Sequence, residues 1–496
     1  MMQQNATEAA SSGSRKVLGD TALTAAERII SQIAQFTVFV VAARILGPAD
    51  FGVFALVSAS AILLLRVAEF GWAPFIMSHD GDDRVPRQVL FVAMITGVII
   101  GTLGIGGAWL SPVFGATEEF AKLMALFSVW VMLATASQAQ KGVMIWQQKL
   151  KASAICEIAG ELVGLFVAIA SLLSGWGLLA LAFARLSAQS THLVLSFVFT
   201  RLKPLMGMTS DLISELWVFS SQIFVSRMLI NIRLYIATFI IGGFLGPAAV
   251  GFFRAADRLV SAAGEVIAVP GQLLAWTLIR KARDDGDPAG QADRINAQVS
   301  HHIKFLFGAS APIFTWMIVM SPELIGGLLS DEWAPAAPLV AILAVARMLF
   351  TFGIVTEPLM SIVGQAKRLP AFTLCVLVMS VVLTLISVSF GVDAVAWAQV
   401  IIAGLVTMAT VWLFKTYAGI QWHGVFKAIR PILLPFGCGV AVLIGLDLAL
   451  APFALPDLLE VLAFGLAAVI TYALAIRVFD PPFWRQMASG LRCQAS

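Results

Sequence analysis

Charge is what this 496-residue chain has least of: 12% of its residues are Asp, Glu, Lys or Arg, against 59% hydrophobic, and the mean hydropathy is +0.91. Soluble globular chains carry about 25% charged residues, so the water-soluble classes are excluded. The net charge of +3 is small and scattered, which argues against a nucleic-acid surface. Cysteine is scarce as well. Cys156, Cys375, Cys438 and Cys493 lie far apart, and no two have metal-ligand or redox spacing. Three of them fall in apolar runs, where cysteine acts as a small core hydrophobe. No Walker motif, HExxH zinc site or Gly-rich nucleotide loop occurs. An enzyme, ATP hydrolysis by this chain and a bound cofactor are therefore not expected. The first twenty residues lack an apolar core and a cleavage site, so residues 1–22 read as a disordered tail rather than a secretory leader.

What the chain has in abundance is apolar length. About 20 mostly apolar residues cross a hydrocarbon layer as a helix. Breaking the sequence at Gly, Pro and charge clusters predicts fourteen such spans, near 23–46, 51–77, 88–114, 120–146, 152–173, 176–199, 214–244, 247–279, 301–329, 335–363, 371–391, 393–416, 427–450 and 455–478. The fold class expected is all-α, a polytopic membrane protein. Alternate connections are basic: Arg84 and Arg87, Lys149 and Lys151, Arg201 and Lys203, Arg280 to Arg283, Lys367 and Arg368, Lys427 and Arg430. The intervening ones carry mostly acids, among them Asp50, Glu118, Asp331, Asp393 and Asp457. The positive-inside rule then puts both termini, including a tail over 479–496, in the cytoplasm. One missed span would invert every later loop, so the unbroken alternation supports the count.

Residues 46–54, "LGPADFGVF", return at 245–253 as "LGPAAVGFF", with six of nine positions identical. The same offset of 199 places Arg28 on Arg227, Gln32 on Asn231 and Phe36 on Tyr235. Further along, an offset of 216 places Met132 on Met348 and Lys151 on Lys367. Spans 1–6 (residues 23–200) and 7–12 (residues 201–416) thus read as two copies, followed by two extra spans within 417–478. Each copy has an even number of spans, so both insert the same way up and their pseudo-two-fold runs along the membrane normal. Two facing lobes would leave a central cleft. The Gly-Pro pair reads as the hairpin between the first two helices of each lobe, with the glycine giving the freedom to reverse and the proline unable to continue a helix.

The stretches "ARILGPADFGVFALVSA", "FLGPAAVGFFRAADRLVSAAGEVIAVPGQ" and "LSDEWAPAAPLVAILAVARMLF" resemble the bacterial polysaccharide transporters, the Wzx-type lipid-linked oligosaccharide flippases of the superfamily that includes MATE drug antiporters. The resemblance covers roughly residues 20 to 480. It implies a flippase of the bacterial inner membrane that carries an undecaprenyl-pyrophosphate-linked oligosaccharide across by alternating access, for exopolysaccharide, capsule or O-antigen biosynthesis. It implies cationic residues in the central cavity and two helices beyond twelve for the lipid tail. The partners it implies are the lipid-linked substrate, membrane lipids, a polysaccharide polymerase and a chain-length regulator. An ion-coupled multidrug exporter on the same architecture is the alternative.

An ionisable side chain at mid-membrane costs roughly 2.5–3.5 kcal/mol on insertion scales, so each is a candidate functional group. Arg66 and Glu69 fall in span 2, Arg227 and Arg233 in span 7, and Arg347 in span 10. In span 8, Arg254, Asp257, Arg258, Ser261 and Glu265 follow helical spacing along one face. The candidate substrate-binding residues are Arg28, Arg66, Arg227, Arg254, Arg258 and Arg347, because guanidinium binds a pyrophosphate through paired hydrogen bonds. Salt bridging is the competing reading, with Arg66 to Glu69 and Arg254 to Asp257 at i,i+3 as ready partners. Glu69, Asp257 and Glu265 are candidates for binding a coupling proton or sodium ion, or for neutralising a neighbouring arginine. No metal centre is expected. Glu157 and Glu161, one turn apart in span 5, have no partner legible in the sequence. Gly97 and Gly101, like Gly160 and Gly164, have the spacing of close helix packing.

Overall fold

The computed structural model describes residues 27–450 and 456–485. The tail expected over 1–22 and the end of the C-terminal tail from 486, with Cys493, lie outside the described residues. Every regular element among the described residues is helical. Fourteen helices are long and apolar enough to cross a membrane. They are α1 (Glu27–Ile45), α2 (Pro48–Glu69), α3 (Arg84–Phe114), α4 (Glu118–Trp146), α5 (Leu150–Leu173), α6 (Leu178–Thr200) and α7 (Ser210–Leu245). The second half adds α8 (Pro247–Asp284), α9 (Gln291–Val319), α10 (Asp331–Ile362), α11 (Ala366–Phe390), α12 (Val392–Tyr417), α13 (Trp422–Leu450) and α14 (Asp457–Phe479). The chain is a polytopic α-helical membrane protein.

Most ends fall within a few residues of the apolar runs, and α9 departs most. It starts at Gln291, ten residues before the expected 301, and ends at Val319 rather than 329. Pro322 has no N–H to extend the ladder and instead opens a separate short helix, Ser321–Leu328. At the other end the polar residues Asp293 and Arg294 are drawn into the first turns of α9, where Arg294 Nε donates to the carbonyl of Ala282 at 3.2 Å. The two Gly-Pro turns differ in mechanism. Gly246 has a φ of +84° and uses the left-handed freedom of glycine, whereas Gly47, at φ −67° and ψ 168°, is ordinary extended backbone. The expectation that both glycines serve the reversal holds for the second copy alone. Pro48 and Pro247 each open the following helix.

Two compact units divide the chain, Met1–Tyr235 and Ile236–Ser496, so the boundary falls inside α7. In the first unit, α2 and α4 bury Val57, Leu65, Leu123 and Phe127 in one cluster. The short helix Trp72–Ser78 packs Trp72, Phe75 and Ile76 against Val89 and Leu90 of α3 and Val143 of α4. Glycine sets the closest approaches. A Cβ on Gly101 would lie 2.8 Å from the Ser128 carbonyl oxygen of α4, and one on Gly160 would lie 2.8 Å from the Ala188 carbonyl oxygen of α6. Both glycine pairs therefore sit at close helix crossings.

In the second unit, α8, α9, α10 and α12 share a core that includes Ile279, Ile303, Leu306, Leu359 and Phe414. The last two spans dock on α9. Tyr472 Oη donates to the Gly308 carbonyl at 2.7 Å, and Trp316 Nε1 donates to that of Val461 at 3.0 Å. Lys304 Nζ stands 2.5 Å from Asp480 Oδ2, with both side chains less than a tenth exposed, and lies 4.8 Å from the centre of the Phe483 ring.

Candidate functional site

Three groups of ionisable side chains lie within the apolar spans. The first is at the end of α2. Arg66 and Glu69 share the last turn, and Arg66 Nη1 donates to Glu69 Oε2 at 2.5 Å. Phe70 and Gly71 then turn the chain through φ +38° and +96°. Gly71 answers two demands, since a Cβ there would also meet Ser220 Cα of α7 at 3.2 Å. The Phe70 ring packs at 4.8 Å on Trp217 and 5.0 Å on Phe224. Residues 217, 220, 224 and 227 share one face of α7 by helical spacing, and Arg227 is close enough to act on the Glu69 charge. Arg66 Nε and Glu69 Oε1 are both buried without a hydrogen-bond partner among the described residues. Two buried polar atoms in that condition are costly to maintain unless a bound group or water completes them.

The second group is on α8. Arg254 Nη1 donates to Asp257 Oδ2 at 3.0 Å, and Arg347 Nη2 reaches Asp257 Oδ1 at 3.4 Å and Ser261 Oγ at 2.6 Å. Arg347 is at the last turn of the Ala337–Phe350 stretch of α10, just before the 3-10 turn Thr351–Val355. Its partners lie on a neighbouring helix, beyond the reach of any spacing along α10. Arg258 is half-buried next to Asp257 on α8, and Glu265 is exposed two turns further along. Two guanidiniums thus converge on one carboxylate, and Asp257 is an arginine partner in this structure.

The third group supplies the partners of Glu157 and Glu161 that the sequence does not name. Glu157 Oε1 of α5 accepts from Lys141 Nζ of α4 at 2.5 Å and lies 3.7 Å from His192 Nε2 of α6. One turn on, Glu161 Oε1 accepts from Gln35 Nε2 of α1 at 3.0 Å. The available signal was a lysine and a histidine standing alone inside the apolar runs of spans 4 and 6. Arg28, on the first turn of α1, is exposed beside Glu27, whose carboxyl is within electrostatic reach of Lys141 and Glu157. Arg28 thereby lies beside this third group.

Fourteen helices long and apolar enough to cross a membrane, carrying guanidiniums and carboxylates within their apolar length, define a polytopic membrane protein. The chain belongs to the polysaccharide biosynthesis protein family, whose model matches residues 41–338, and it is a membrane transporter of polysaccharide biosynthesis. It is 21% identical over 411 residues to the succinoglycan biosynthesis transport protein ExoT of Rhizobium meliloti (strain 1021), covering 80% of each chain. Its fold is similar to that of the lipid II flippase MurJ in an inward closed conformation, with a TM-score of 0.72 at 12% identity over 95% of this chain and 100% of that one. An inward-facing multidrug resistance MATE family transporter is similar over 78% of this chain and 96% of its own, with a TM-score of 0.60 at 16% identity.

Proposed function

We propose that this protein flips an undecaprenyl-pyrophosphate-linked oligosaccharide repeat unit across the bacterial inner membrane. The observation that carries the reading is the surplus of guanidinium over carboxylate within the spans: Arg254 and Arg347 converge on Asp257, with Arg258 beside it. A pyrophosphate is a compact multiply charged anion that guanidinium holds through paired hydrogen bonds. Arg66 Nε supplies a buried donor with no protein acceptor among the described residues. In this reading the lipid-linked substrate enters from the cytoplasm between lobes formed by spans 1–6 and 7–12, and both termini are cytoplasmic. The arginines hold the pyrophosphate while the sugars occupy water, and rocking of the lobes exposes the site outward. A polymerase and a chain-length regulator would take over the product.

A multidrug exporter of cations would need a cavity dominated by acids, and the cationic balance here favours the anionic substrate. The test is turnover of a labelled lipid-pyrophosphate-sugar by purified protein in liposomes. Arg66→Ala, Arg227→Ala, Arg258→Ala and Arg347→Ala are each expected to slow flipping about 10- to 100-fold, the equivalent of losing one charge-assisted hydrogen bond. Wild-type rates in all four, at normal protein levels, would defeat the assignment.

A further inference from the structure

Between α4, α5 and α6 lies a hollow of about 390 Å³, counted to its open mouth, with about 50 Å³ of space for water-sized molecules. Its walls include Trp130 and Gln138 of α4, Glu161 of α5, and Arg185, Gln189 and His192 of α6. Positions 130 and 138 are two turns apart, and 185, 189 and 192 follow at four and three, so each set shares one helix face. Gly160, also in the wall, brings α5 so close to α6 that a Cβ there would stand 2.8 Å from the Ala188 carbonyl oxygen. The hollow is therefore held by close helix packing. A concave site with a few convergent polar groups is the usual form of a small-ligand site.

His192 is 5% exposed, and its Nε2 is a buried atom with no hydrogen-bond partner among the described residues, Glu157 Oε1 being too far at 3.7 Å. Which proton the ring carries follows from its other nitrogen. Ser196 Oγ donates to the His192 carbonyl at 2.6 Å and stands 3.5 Å from Nδ1. With its one proton so engaged, that oxygen can only accept from the ring, which puts the imidazole proton on Nδ1 and leaves Nε2 a bare acceptor. A buried acceptor is costly unless a donor reaches it, and here the donor must come from the hollow.

The ligand that fits is neutral and carries hydroxyl groups. Glu157 and Glu161 are offset by Arg185 and by Lys141, whose Nζ is 2.5 Å from Glu157 Oε1, so these charges leave no surplus to attract an ion of either sign. An ionised pyrophosphate has no proton to give Nε2, and an ammonium ligand would face Lys141 and Arg185. The walls combine groups that only accept, Glu161 and His192 Nε2, with groups that only donate, Arg185 and Trp130 Nε1, and with the amides of Gln138 and Gln189, which do both. Hydroxyl groups donate and accept alike, and neighbouring ones on a ring answer such a mixture in pairs. Trp130 adds a flat apolar surface for the C–H side of that ring. We infer that this hollow is a sugar-binding subsite of the first unit, taking the edge of one neutral monosaccharide whose hydroxyl donates to His192 Nε2. Glycan structure, and not pyrophosphate charge alone, then governs what is moved. That the sugar belongs to a lipid-linked substrate rests on the flippase reading above; the binding of the sugar does not.

Saturation-transfer NMR on the full-length protein in detergent tests the subsite, with glucose, galactose and N-acetylglucosamine at millimolar concentration as probes and empty micelles as the blank. At least one sugar is expected to receive magnetisation at its ring protons, and its affinity should fall about five- to tenfold in Gln189→Ala and in His192→Phe, the loss expected for one neutral hydrogen bond or two. Gln189 is half-buried, so its variant keeps the test open if His192→Phe fails to fold. Excess sodium pyrophosphate should leave the transfer intact. Transfer to none of the three sugars, or equal affinity in wild type and variants, overturns the subsite and leaves the hollow to water; displacement by pyrophosphate overturns it in favour of an anion. In liposomes, the wild type should flip a lipid-pyrophosphate-sugar faster than the same lipid pyrophosphate without sugar, and Gln189→Ala should shrink that preference several-fold. A preference unchanged in the variant refutes the link between subsite and transport. Sugar contact in the spectra without flipping of either lipid supports the subsite and defeats the proposed function.

Discussion

Arg347 Nη2 on α10 and Asp257 Oδ1 on α8 stand 3.4 Å apart, while the other oxygen of the same carboxylate accepts from Arg254. Asp257 therefore holds two like charges that would otherwise repel. Asp257→Asn is expected to lower the melting temperature of the detergent-solubilised protein, and millimolar inorganic pyrophosphate to restore it, because an anion that binds only the folded state stabilises it. A thermal shift assay with and without pyrophosphate reads both effects. Destabilisation that no anion repairs would remove the carboxylate from the anion site.

The buried pair of Lys304 and Asp480 ties α9 to the end of α14. Removing one partner of a buried pair leaves a stranded charge at a cost of about 3–5 kcal/mol, whereas removing both is often tolerated. Asp480→Asn should therefore reduce the yield of folded protein sharply, and Lys304→Met together with Asp480→Asn should recover most of it. Size-exclusion chromatography of the membrane extract gives the comparison.

Close packing at Gly160 can be separated from glycine's general helix penalty. Gly160→Ala forces its Cβ to 2.8 Å from the Ala188 carbonyl oxygen and should cost about 1–3 kcal/mol. Gly106→Ala, with no atom within 4 Å of the added carbon, should gain up to about 1 kcal/mol from helix propensity. Equal melting temperatures for the two variants would show that α5 and α6 can separate freely.

Glu323, in the short helix after α9, has its carboxyl pushed above the usual range by burial and by the negative charges of Asp447, Glu460 and Asp457. A folded-state pKa above the unfolded value means that folding takes up a proton. Stability therefore rises as pH falls from the raised value toward the unfolded one near 4.5. Glu323→Gln is expected to raise the melting temperature at neutral pH and to flatten its rise over that acid window. An unaltered pH profile in the variant counts against this assignment.

Local patterns were legible in the sequence, and distant pairings were not. Fourteen apolar runs announce fourteen helices because the hydrocarbon thickness fixes their length. The pairs Arg66 with Glu69 and Arg254 with Asp257 could be read from a spacing of three on one helix face. The partners of Glu157 lie on two other helices, and Arg347 is 90 residues from Asp257. No periodicity encodes which helices become neighbours, so those contacts needed the folded chain. The shift of α9 by ten residues has a mixed origin: Pro322 was visible as a helix starter, but the inclusion of Asp293 and Arg294 depended on the carbonyl of Ala282 waiting on α8.

The docking of α14 also sets a schedule for biogenesis. Lys304 enters the bilayer with α9, but Asp480 is made 176 residues later. At roughly 5–20 residues per second the ribosome needs on the order of ten to thirty seconds to deliver it. Throughout that interval the ammonium must snorkel to an interface or be sheltered by the insertion machinery, so the final helix closes a bundle whose ninth member has been waiting half-settled.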